Sequence, residues 1–194
     1  MRFDRALQNS LAKWLGDDVT FADGWLTRNT GRWRGRIINA PIGALTHHTA
    51  GGSSTAPHGN PGVVNYVIHP SSPVPYANAV VDSTGHVTIC AAYPVWHAGL
   101  GDFAGTRWAR LGVARNAGNH YLWGTEVVSA GAKPDFSPAQ VRALARLHCA
   151  LREAARWPRF TYRLANHKDW APKRKVDSRY PWQWIVTNAE REWA

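Results

Sequence analysis

The sequence N-H-K-D-W-A-P-K-R-K-V-D occupies residues 166–177 and sets the terms for the rest of the chain. It holds His167 and, after nine intervening residues, Asp177, with the basic run Lys173-Arg174-Lys175 just before that aspartate. Imidazole and carboxylate are two of the three side-chain types that zinc takes in catalytic sites. Pro172 and the adjacent cations argue against a helix, because proline breaks a helix interior and like charges repel. The stretch therefore reads as a loop that folds back and lets His167 and Asp177 converge. Two ligands cannot hold a catalytic zinc alone, so a third must come from elsewhere.

The upstream donor is A-L-T-H-H-T-A at residues 44–50, followed by Gly51-Gly52. Apolar and β-branched residues ending in His47-His48 look like a strand that delivers a ligand at its end. Neighbours in a strand point to opposite faces, so only one of the two histidines can face a given site.

Taken together, H-H-T-A-G, W-H-A-G (96–99), G-T-E (124–126) and H-K-D-W-A-P-K-R-K-V-D (167–177) resemble the zinc N-acetylmuramoyl-L-alanine amidases of the type 2 family. That family includes the peptidoglycan-recognition proteins, and the combination is most similar to endolysins of phages infecting actinobacteria. The resemblance runs from about Trp33 to about Trp184. It implies His47 as the first ligand of the pair, with His167 and Asp177 completing the zinc set. It implies cleavage of the amide between N-acetylmuramic acid and the L-alanine of the stem peptide by zinc-activated water.

Glu126 is the one ionisable residue in the apolar run Tyr121–Val128, and a lone carboxylate there is costly unless paired or functional. The family carries a glutamate at this place near the zinc, which implies that Glu126 shuttles a proton. Lys175 matches the family lysine two residues before the last ligand, which implies an oxyanion stabiliser. Trp96, His97 and Thr49 are candidates for substrate contact. For His97 the alternative stays open that it only hydrogen-bonds the backbone of a tight turn permitted by Gly99. Lys173 and Arg174 are expected to be solvated or drawn to anionic wall polymers. The family often has proline after the last ligand; Ser178 stands here, so a softer loop is expected.

Composition narrows the alternatives. A length of 194 residues suits one domain with a real core, and an apolar share of 44% with 19% charged is ordinary for a globular chain. The formal net charge of +10 draws the chain to polyanions. Nucleic acid is the first thought, but no glycine-rich fingerprint, zinc-finger spacing or RNP-type aromatic pattern accompanies the charge. Wall polymers rich in phosphate and carboxylate satisfy it equally, and binding to them should weaken as salt rises. Eleven tryptophans are unusual, and indole faces can serve as platforms for sugars. Cys90 and Cys149 both sit in apolar contexts and read as buried free thiols. The N-terminus lacks the apolar core of a signal peptide, and no run approaches a membrane span. Synthesis in the host cytoplasm and action at the bacterial cell wall follow as expectations, with a monomer expected.

In chain order, Phe3, Leu7, Leu11, Trp14 and Leu15 lie at helical spacing, closed by Gly16. Residues 17–41 read as an irregular wrapping segment, 42–49 as the first core strand, and 50–61 as a loop beside the site. Residues 62–69 suggest a short helix, and His58 and His69 are available near it. Residues 78–82 and 86–92 flank Ser83-Thr84-Gly85 as a hairpin. Residues 102–118 read as a loop and 121–128 as a strand. Ser137-Pro138 caps a helix to about Trp157. Residues 160–164 read as a short strand and 182–193 as a final helix. The pattern predicts one α/β domain, residues 1–194, with a helix and wrapping segment over 1–40 and the catalytic core over 41–194. The resemblance implies a central mixed sheet flanked by helices, with the zinc cleft at one edge. No separate wall-binding domain is visible. The alternatives are a non-catalytic peptidoglycan-binding module of the same fold and an amidase that recycles muropeptides.

Overall fold

The strand containing the paired histidines is buried at every residue, so both of its faces must be covered. The computed structural model describes residues 2–28, 40–50, 61–68 and 74–194. Its strands are β1 (Val19–Phe21), β2 (Gly43–His48), β3 (Ala79–Val81), β4 (Val87–Ile89), β5 (Leu122–Val127) and β6 (Leu164–Asn166). Its helices are α1 (Phe3–Leu15), α2 (Pro61–Val67), α3 (Gly118–Tyr121), α4 (Pro138–Ala155), α5 (His167–Trp170) and α6 (Trp182–Trp193). The strands form one mixed sheet in the order β1-β4-β3-β5-β2-β6. β3, β5, β2 and β6 run parallel, while β4 is antiparallel to β3 and β1 follows β4. The C-terminal ends of β5, β2 and β6 thus lie side by side, where open α/β sheets place their ligands.

Strand alternation sorts the core into two layers. Ala44, Trp123 and Leu164 face a cluster with Leu7 and Leu11 of α1, Leu147 and Leu151 of α4, and Ile185 of α6. Their neighbours Leu45, Leu122 and Ala165 face the other way, against Phe103, Trp108 and Trp170. Val80 and Val128 extend that second layer with Val67 of α2 and Cys90. By the same alternation His47 and Glu126 belong to the second layer. The mixed sheet flanked by helices agrees with the expected fold, and the site strands lie toward the β6 edge.

α4 has a complete start signal. The Ser137 hydroxyl accepts from Gln140 N, and Gln140 Oε1 accepts from Ser137 N, with Pro138 in the first turn. Arg156 ends it in the left-handed region, φ 55°. Leu147 and Leu151 are fully buried, each contributing about 1.5–3 kcal/mol through burial.

The structure departs from the sequence reading in four places. Residues 17–41 contain β1, which adds to the sheet beside β4 after a 3-10 turn at Gly16–Asp18. Residues 107–111 form a 3-10 helix rather than plain loop, because the Thr106 hydroxyl caps Trp108 N. Residues 160–163 are a turn, with Arg163 N donating to Phe160 O, so β6 starts only at Leu164. The stretch 166–177 opens with one helical turn, α5. The Asp169 carboxylate accepts from Asn166 N and starts it, while Pro172 lies beyond its end. Cys90 and Cys149 are free and buried in different layers of the core, as expected. The loop 51–60 with His58, the residue His69 and the wrapping segment 29–39 lie outside the described residues.

Candidate metal centre

Register assembles the site. β2 pairs with β5 so that His47 lies opposite Glu126, and with β6 so that Thr46 lies opposite Asn166. The residue after β6, His167, therefore lands beside His47. The chain then turns through α5 and returns, and Lys168 N donates to the backbone oxygen of Asp177. Three donor atoms converge. His47 Nδ1 lies 2.9 Å from His167 Nδ1, His167 Nδ1 lies 2.9 Å from Asp177 Oδ2, and His47 Nδ1 lies 3.3 Å from that oxygen. Ligand atoms about 2.0–2.1 Å from a tetrahedral zinc sit about 3.3 Å apart, so this triangle is a slightly tight face of such a site. All three residues are buried. Two imidazole nitrogens and one carboxylate oxygen are a fitting donor set for zinc.

The outer ring nitrogens are engaged. His167 Nε2 contacts the carbonyl oxygen of Ala98 at 2.9 Å, and His47 Nε2 contacts His97 Nδ1 at 3.2 Å. Electrostatics favour the ligating forms. Burial first, then the neighbouring His167, lowers the His47 pKa to about 4, against the pull of Asp177. The imidazole is then neutral near pH 7, as a metal ligand must be. Burial works against charge on Asp177, but its close contacts with His167 and His47 outweigh it and hold the carboxyl well below its usual range.

Glu126 brings a carboxylate to the strand position opposite His47. Its Oε2 is buried and makes no hydrogen bond. Burial, then the charge of Asp177, raises its pKa to about 8, while Lys175 pulls it down. A dication held by the three donors would pull it down further. The half-buried Lys175 acts electrostatically on both Glu126 and His47.

The remaining candidates separate. His48 points to the other face of the sheet, its ring against Gly131. His97 lies beneath His47, 7% exposed, with both ring nitrogens in contact. The Thr49 hydroxyl donates to Ser129 O and accepts from Ser129 N, tying the end of β2 to the segment after β5. Trp96 is 48% exposed. Arg174 corrects an expectation: its guanidinium is not simply solvated but donates to Ala98 O and Leu100 O, clamping the 98–100 turn. Ser178 is fully buried and its hydroxyl accepts from Tyr180 N, so the loop expected to be softer is tied down. Sequence reasoning missed Asn119, whose Oδ1 accepts from both His97 N and Ala98 N. No local motif marks it; only the pairing of distant turns reveals it.

The family model described as N-acetylmuramoyl-L-alanine amidase matches residues 39–180. No curated protein matches the chain in sequence. Among solved structures, the chain is similar to AmpDh3 from Pseudomonas aeruginosa in complex with anhydromuramic pentapeptide, at 18% identity and TM-score 0.55. That match covers 76% of this chain and 59% of AmpDh3. It is similar to the endolysin amidase LysCS from Clostridium intestinale at 15% identity and TM-score 0.55, over 89% of this chain and 95% of that one. AmiD from E. coli, in complex with anhydro-N-acetylmuramic acid-L-Ala-D-gamma-Glu-L-Lys, matches at 20% identity and TM-score 0.54, over 77% of this chain and 58% of AmiD. At these identities the likenesses speak for the fold, and the family match spans the strands and turns that carry the donor triangle. The chain belongs to the N-acetylmuramoyl-L-alanine amidase family.

Proposed function

We propose that this chain is a zinc-dependent peptidoglycan amidase of the endolysin kind, cutting between N-acetylmuramic acid and L-alanine of the stem peptide. The observation that carries the reading is the buried triangle of His47, His167 and Asp177, with the unpartnered Glu126 in register beside it. The three donors would hold zinc and leave a fourth position open. Zinc bound there supplies a Lewis acid and a water acidic enough to ionise near neutral pH.

The chain's own residues account for the rest. Glu126 would take a proton at its free Oε2 and return it to the leaving amine, the work of a general base and then a general acid. Lys175 offers a fixed positive charge to the oxyanion as the carbonyl carbon becomes tetrahedral. Asp177 would ligate as a carboxylate, through the Oδ2 that faces both imidazoles. Trp96 offers an exposed indole for the sugar or stem peptide. Residues 41–194 would form the catalytic core, with α1 as packing.

The partner is bacterial peptidoglycan, with anionic wall polymers drawn by the net charge of +10. Among the described residues no helix is long and apolar enough to cross a membrane. Synthesis in a host cytoplasm, action at the wall and a monomeric state belong to this proposal. Digestion of purified sacculi tests it: new alanine amino termini without new reducing sugar are expected, and release of reducing sugar would overturn it. Retention of sacculi without cleavage would favour the binding-module alternative. Activity confined to soluble muropeptides would favour recycling.

A further inference from the structure

We propose that His97 is a positioning residue that fixes the tautomer of His47, so that His47 presents a bare Nδ1 to a metal. The inference rests on the metal-site reading above and assigns a role to a residue for which the sequence left both substrate contact and the bracing of a turn open.

The argument follows the hydrogen atoms. His97 Nε2 lies 2.9 Å from the carbonyl oxygen of Leu122. A carbonyl can only accept, so His97 Nε2 carries a hydrogen. A neutral imidazole has one N–H, which leaves His97 Nδ1 as an acceptor. His47 Nε2 lies 3.2 Å from that atom and is therefore the donor. With its hydrogen on Nε2, neutral His47 has a lone pair at Nδ1, the atom in the donor triangle. Among the described residues no ion pair involves His97, and burial of the ring outweighs the pull of the Leu122 carbonyl and disfavours a charge that would break this sequence. His167 reaches the same end directly, through Nε2–H to the Ala98 carbonyl. One ligand is oriented by a carbonyl, the other by a carbonyl acting through an intervening imidazole.

Two further features serve the His97 ring alone. A Cβ built on Gly124 would lie 2.3 Å from His97 Cγ and 2.5 Å from its Nδ1, so the ring occupies the space any side chain there would need. Glycine in the middle of a buried strand otherwise weakens it. The ring also lacks freedom to reach outward, because it is 7% exposed and both of its nitrogens are in contact. At the base, Asn119 Oδ1 accepts from His97 N at 3.0 Å and from Ala98 N at 2.7 Å. One amide thus aims the His97 ring and the Ala98 carbonyl, the partners of both candidate ligands.

The test compares His97→Phe, which keeps a ring and removes the acceptor, with His97→Asn, whose Oδ1 can accept where Nδ1 did. Zinc affinity of the full chain is measured by competition with a chromophoric chelator, with thermal melts to report folding. Loss of such an outer partner typically weakens metal binding about 10–100-fold. His97→Phe should show that loss, and His97→Asn should recover most of it. The ring-nitrogen ¹⁵N spectrum of the zinc-loaded wild type should show hydrogen on Nε2 of both His47 and His97. Equal affinity for His97→Phe and wild type, equal weakness of the two variants, or hydrogen on His97 Nδ1 would each overturn the proposal. If His97→Phe fails to fold, the spectrum and the His97→Asn affinity still decide. A relay that fails while wild type binds zinc and cuts sacculi leaves the amidase reading intact; a wild type that binds no zinc ends both.

Discussion

Among the described residues, buried histidines at two places in the fold behave differently. His47 and His167 lie at the C-terminal ends of β2 and β6, with His97 packed beneath His47, and their ring nitrogens touch other polar atoms. His148 lies inside α4, fully buried, and neither of its ring nitrogens has a hydrogen-bond partner. Burial depresses the pKa in both places, to about 4 for His47 and about 3 for His148. A low pKa therefore does not mark a site; it marks the cost of a buried charge. What distinguishes the strand-end group is direction: hydrogen bonds outside the triangle leave specific lone pairs pointing into it. His148 has a neutral ring and no direction.

The sharpest way to break the contrast is to remove donors on each side. His47→Ala, His167→Ala and Asp177→Ala should each abolish stoichiometric zinc and lower turnover of sacculi about 10³-fold or more, since a metal supplies several kcal/mol to such reactions. His148→Leu should leave zinc content unchanged and activity within about twofold.

The next effect separates holding the metal from using it. Glu126→Gln should retain zinc while turnover falls about 10²–10⁴-fold, the usual range for a lost acid–base group. An unchanged rate would remove Glu126 from proton transfer. Lys175→Met should keep zinc and lose about 10²–10³-fold if its charge meets the oxyanion.

The smallest effect concerns acid stability. A histidine held neutral in the fold is protonated in the unfolded chain below about pH 6.5, so stability falls as pH drops from there toward the folded value. His148, with a folded value of about 3, should weaken the protein through most of the range between pH 6.5 and 3. His148→Leu removes that loss, about 2 kcal/mol at pH 5. Its melting temperature should exceed that of wild type by several degrees at pH 5, with a smaller difference at pH 7.5. An identical difference at both pH values would show that the ring is not buried neutral.

Much of this was legible in the chain. The periodicity from Phe3 to Leu15, the Ser137-Pro138 start and the apolar run before Glu126 gave α1, α4 and β5, because local signals of that length survive any tertiary context. Of the three-residue strands, β3 and β4 were legible because Ser83-Thr84-Gly85 marks the turn between them, whereas β1 and β6 have no such turn and are defined by pairing with β4 and β2. α5 was hidden because Pro172 pointed away from a helix, whereas the Asp169 cap needed only one turn. Arg174 looked like part of a solvated basic run, and only the approach of the 98–100 turn gives its guanidinium carbonyls to hold.

By itself the sequence determined the donor types, their order along the chain and the rule that one of His47 and His48 must turn away from the site. The tertiary structure decided what depends on which segments meet: the register that sets His47 beside Glu126, the return of Asp177 to His167, and the seating of His97 over Gly124. The reason is one of range. Helical period, capping and strand alternation act over a few neighbours, whereas a lone pair is aimed by groups up to 120 residues apart, as His47 and His167 are.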